Sequence, residues 1–72
     1  MSTRFLVKLG LNLKKYRLEK GLTQENLAEK VGIHPTYVGK LEGGRNNPST
    51  KMLYKITRAL GIKLSDLFDF DK

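Results

Sequence analysis

Glycine divides this chain into short segments, and between the glycines apolar residues recur at three- and four-residue steps. Gly21, Gly32, Gly43-Gly44 and Gly61 each close such a stretch. Glycine takes the left-handed conformation that ends an α-helix at the least cost. No stretch alternates apolar and polar residues as a half-buried strand would. The chain is thereby confined to short helices joined by tight turns: an all-α fold with four helices and a fifth short one.

The first segment runs from about Thr3 to Lys20, with Leu6, Leu9, Leu13, Tyr16 and Arg17 on one face and Gly21 after it. In the second, Thr23 stands as N-cap. Asn26 lies three residues on, where a capping box prefers Glu or Gln, so the box reads as incomplete. Leu27, Ala28 and Val31 form its buried face, with Ala28 a small residue where two helices cross closely. The third segment begins at Pro35, favoured at the first helical position because its missing N–H would be unpaired there. His34 is then its N-cap, and Val38 and Leu41 point inward. Ser49 caps a fourth helix reaching about Leu60, with Leu53, Ile56 and Leu60 as the inner stripe. Ser65 is read as the cap of a last turn, Asp66 to Phe68.

Seventy-two residues make one domain with a modest core. There is no cysteine and one histidine, His34, so neither disulfides nor a thiolate or paired-histidine metal site is available, and no cofactor is expected. The opening MSTRFLVKLG breaks its apolar run after three residues, too soon for a signal peptide core or a membrane span. A cytoplasmic protein is expected. No serine–histidine–acid set can be assembled, and Asp66, Asp69 and Asp71 sit in a terminal segment without a partner motif, so an enzyme is not expected. Fourteen Lys and Arg against seven Asp and Glu give +7, concentrated in the first twenty residues, which favours a polyanionic partner.

The most informative stretch is QENLAEKVGIHPTYVGKLEG, Gln24 to Gly43. Two short helices joined by a tight glycine-containing turn, with Leu27, Val31, Ile33, Val38 and Leu41 as apolar positions, describe a helix-turn-helix. Together with LGLNL…YR before it and GGRNNPS and LYKITRALGIKLSDLF after it, this stretch resembles the XRE family, which includes the phage lambda repressor and Cro. The resemblance runs from about Leu9 to Phe68. It is nearest to the short stand-alone members, the controller proteins of restriction–modification systems and small phage or plasmid repressors.

The resemblance implies one compact DNA-binding domain over 1–72, a four- to five-helix bundle of the lambda-repressor type. The positioning helix would be about 24–32, the recognition helix about 35–43 in the major groove, and the dimerisation region about 60–70. Thr36, Lys40 and Pro35 would occupy base-reading positions. Thr23, Gln24, Tyr37, Arg45 and Asn46 would meet the DNA backbone. Arg17 and Glu42 match a buried structural ion pair, and Leu64, Phe68 and Phe70 the dimer contact. Relatives usually carry Ser or Thr at the His34 cap, and a polar base-reading side chain at the Pro35 position. Proline cannot donate to a base edge, so DNA shape is expected to carry more of the specificity. The implied function is a homodimeric regulator of transcription on a palindromic operator, with double-stranded DNA as partner and no membrane or small-molecule effector. The competing reading is a protein-interaction module, such as an antitoxin or a repressor antagonist.

Simpler assignments cover the remaining features. Tyr16, Tyr54 and Phe5 recur beside leucines and read as core rather than as stacking platforms. GGRNNP reads as a turn rather than a phosphate loop, and His34 as a cap rather than a pH switch. Lys8, Lys14 and Lys15 read as a solvated face. Leu11 and Leu18, seven residues apart, either widen the buried stripe of the first helix or form an exposed patch. Phe68 and Phe70 make more aromatic surface than a monomer of this size readily hides, which a two-fold partner would cover. Gly39 costs helix stability, so it is expected where the helix lies against backbone, its own or that of DNA.

Overall fold

Five helices follow one another along residues 2–70, the part of the chain that the computed structural model describes. They are α1 (Thr3–Glu19), α2 (Gln24–Val31), α3 (Pro35–Glu42), α4 (Thr50–Leu60) and α5 (Leu64–Leu67). Among these residues there is no strand.

The helix ends follow from local chemistry. Ser2, Thr23 and Ser49 each accept a hydrogen bond from the backbone N–H three residues on, at 3.1, 3.0 and 3.1 Å. Gly32 and Gly61 close α2 and α4 with φ of +84° and +69°. The capping box of α2, read as incomplete, is formed: the Asn26 side-chain oxygen accepts from Thr23 N–H at 3.1 Å. A shorter amide thus does the work of Glu or Gln. Ser65, in contrast, is no cap. The fifth helix starts two residues earlier, at Leu64, with Lys63 as the flanking residue and the Asp66 carboxylate accepting from Lys63 N–H at 2.9 Å.

The core is built from Leu9 and Leu13 of α1, Leu27 and Ala28 of α2, Val38 and Leu41 of α3, Leu53, Ile56 and Leu60 of α4, and Leu67 of α5. Burying each large side chain contributes about 1.5–3 kcal/mol before conformational entropy is charged. Phe5, Tyr16 and Val31 pack around this centre half-buried. Tyr54 departs from its core assignment. It is 53% exposed on α4, where Arg58 lies over its ring, 5.8 Å from the centroid.

Leu11 and Leu18 resolve to an exposed apolar patch at 59% and 56% accessibility. At 100° per residue they lie on the arc of α1 opposite Leu9 and Leu13. The buried arc instead ends on Gly10 at one edge and Asn12 at the other. Gly10 marks a close helix crossing: a methyl group there would overlap the Leu41 carbonyl oxygen and stand 2.6 Å from that of Glu42. Just beyond, Gly44 takes φ +70° beneath Val7, whose Cα would lie 2.8 Å from an added methyl. The α1 backbone therefore rests directly on the end of α3.

The C-terminal residues are less exposed than the sequence implies. Phe68 and Phe70 are half-buried because both pack on Phe5, at ring-centroid distances of 5.8 Å (stacked) and 5.3 Å (edge-on). Leu64 is half-buried as well. Asp71 lies outside the described residues.

Candidate nucleic-acid interface

The α2–α3 pair presents its polar residues along one shallow groove, lined by Gln24, Glu25, Pro35, Thr36, Gly39, Lys40 and Arg45. Thr36 and Lys40 are exposed and four residues apart on α3, hence on one face. Five of the residues assigned to DNA contact thus meet here: Gln24, Pro35, Thr36, Lys40 and Arg45. Thr23 stands exposed at the N-cap of α2. Tyr37 and Asn46 are half-buried outside the groove, Tyr37 packed against the core.

The end of α3 explains how this face is held. Arg17 and Glu42 are both buried and form the expected pair, with Arg17 Nε donating to Glu42 Oε2 at 2.5 Å and Nη2 to Oε1 at 3.0 Å. The remaining guanidinium nitrogen donates to the Leu22 carbonyl at 2.7 Å, which ties in the α1–α2 turn. The hydrogen bond to Glu42 raises the Arg17 pKa above the ordinary arginine value, against the opposite pull of burial. Glu42 Oε1 also accepts from Gln24 Nε2 at 3.1 Å. Gln24 is therefore oriented by a buried carboxylate and not left to solvent.

One contribution was missed in the sequence. Glu25 brings a carboxylate to the groove, a negative group that limits how closely phosphates approach there. Gly39 is not required by the protein's own packing: a methyl there would meet only the Gln24 amide, at 3.6 Å, and φ is not positive. Of the two backbones proposed for it, the chain's own is excluded. His34 acts as read, its Nδ1 accepting from Thr36 N–H at 3.1 Å, with Pro35 following as the first helical residue.

Among the described residues, no group of three or more His, Asp or Glu could hold a metal ion. Nor, among the described residues, is any helix long and apolar enough to cross a membrane.

Known proteins share this arrangement. Residues 13–67 match the helix-turn-helix family HTH_3. The chain is 42% identical over 59 residues to an "uncharacterized HTH-type transcriptional regulator" of Archaeoglobus fulgidus, covering 82% of this chain and 84% of that one. It is 43% identical over 68 residues to the control protein C.MunI of Mycoplasma sp, covering 92% of each. The crystal structure of the restriction–modification controller protein C.AhdI from Aeromonas hydrophila superposes with a TM-score of 0.86. That match has 43% identity, over 88% of this chain and 96% of that one.

Proposed function

The chain belongs to the HTH_3 helix-turn-helix family, and from that premise we propose a sequence-specific DNA-binding regulator of transcription that acts as a homodimer on a palindromic operator. Similarity to control protein C.MunI and to the controller C.AhdI supports a role of the restriction–modification controller kind. The observation that carries the reading is the convergence of Gln24, Thr36, Lys40 and Arg45 on one face of the α2–α3 pair.

In this reading α3 enters the major groove. Lys40 reaches guanine O6 or N7, and Thr36 offers its methyl to thymine or its hydroxyl to a base edge. Gln24 and Thr23 meet a phosphate at the start of α2, where free backbone N–H groups and the helix dipole favour an anion. Arg45 adds a backbone contact from the turn after α3. Pro35 contributes only carbon, so the deformability of the duplex supplies part of the discrimination. Two copies joined through Leu64, Phe68 and Phe70 set their recognition helices about 34 Å apart, one turn of B-DNA. Occupancy then follows the chain's own concentration, and the bound dimer blocks or assists polymerase by position. The protein acts by binding and not by catalysis.

Selection of bound duplexes from a random library at physiological salt tests this. An inverted repeat with half-site centres about 10 bp apart is expected. Enrichment of no sequence over generic duplex would overturn it. The salt dependence separates the protein-interaction reading, because each phosphate neutralised contributes about −0.9 to the slope of log K against log salt.

A further inference from the structure

We propose that Asn12 is a positioning residue for self-association: from inside the monomer, it fixes the segment carrying Phe68 and Phe70 in the conformation that a second copy meets. This rests on the dimer reading above.

Asn12 is 9% exposed, on α1. Its Nδ2 faces three backbone carbonyls from the other end of the chain: Leu67 at 2.7 Å, Asp66 at 3.1 Å and Asp69 at 3.4 Å. A helix leaves its last four carbonyls without intrahelical partners, and α5 has only four residues. The Asp66 carbonyl also accepts from Asp69 N–H at 3.2 Å, and the one amide joins it to the neighbouring carbonyls of Leu67 and Asp69. Phe5, seven residues earlier and two turns up the same line of α1, supplies the second clamp through its rings against Phe68 and Phe70. The segment is gripped from beneath at both points, while Phe68 and Phe70 keep their other sides accessible. Asn12 edges the groove between α1 and this segment, and it acts on a partner by holding the segment in place.

Asn12→Asp keeps the side chain's shape but turns its donor into an oxygen facing carbonyl oxygens. Asn12→Ala removes the amide without that repulsion and serves if the aspartate variant fails to fold. The monomer–dimer equilibrium of the full chain is measured by analytical ultracentrifugation, with hydrogen exchange followed at the amides of residues 68–70. Leu27→Val, in α2 and away from α5, is the control for general loss of stability. The Asn12 variants are expected to weaken dimerisation by about tenfold or more and to speed exchange in the segment. Leu27→Val should lower the melting temperature and leave dimerisation unchanged. Dimerisation that survives loss of the amide, or that Leu27→Val weakens equally, would overturn the proposal. A wild-type chain monomeric at every concentration would instead remove the dimer reading, and this is distinguishable because wild type and variants would then sediment alike.

Discussion

The side-chain amide of Gln24 donates to Glu42 at 3.1 Å, tying the first residue of α2 to the last residue of α3 through the carboxylate that holds Arg17. The candidate phosphate contact and the buried ion pair are thus one network, and disturbing its centre reaches both stability and binding.

Glu42→Ala leaves a buried guanidinium without its counter-charge and is expected to cost about 3–5 kcal/mol in chemical denaturation. The Arg17 pKa is raised in the folded chain. The stability that Arg17 contributes is therefore complete below the ordinary arginine range and falls only above it. Near-neutral titration should leave this contribution flat, and a loss centred near neutral pH would contradict it.

Lys40→Ala and Arg45→Ala should separate reading from anchoring. The first is expected to relax preference at one base pair by about 1–3 kcal/mol. The second should weaken all duplexes alike and make the salt slope shallower by about one. Competition binding against single-base operator variants distinguishes them, and the assignment of α3 fails if neither change moves affinity.

Glycine to alanine should have opposite signs at two helical positions. At Gly10 the new methyl collides with the backbone of Leu41 and Glu42, so a loss of at least about 1–3 kcal/mol is expected despite the better helix propensity. At Gly39 the methyl meets only the Gln24 amide at ordinary distance, so a gain of up to about 1 kcal/mol is expected. Thermal melts of the two variants decide it.

His34→Ala removes the acceptor for Thr36 N–H and should cost about 0.5–2 kcal/mol, which His34→Ser restores. Equal melting temperatures for all three proteins would mean that the imidazole cap contributes nothing.

The features legible in the sequence are those with local causes. Gly32, Gly61, Thr23, Ser49 and Pro35 mark helix ends because each satisfies or releases a backbone group within a few residues. Thr36 and Lys40 share a face by spacing alone. The features that escaped depend on distant partners. Nothing around Asn12 reveals three carbonyls more than fifty residues away, and Gly10 looks like any helical glycine until α3 lies across it. Tyr54 shares the helical spacing of a core residue, and only the packing of α4 turns it toward solvent beside Arg58. Asn26 completed a capping box that residue preference alone leaves open, and Lys63 displaced Ser65 at the start of α5.

Gly10 and Asn12 bound the buried arc of α1, and Phe5 lies on the Asn12 side, so the three contacts fall within roughly 10 Å of one helix. One edge of that arc rests on the backbone end of α3, the other on the segment that carries Phe68 and Phe70. No loop intervenes between them. In the proposed dimer, α1 is the rigid piece that joins each α3 to the segment closing the interface. An operator with a base pair added or removed at its centre is then expected to bind more weakly, at the cost of twisting the duplex to fit.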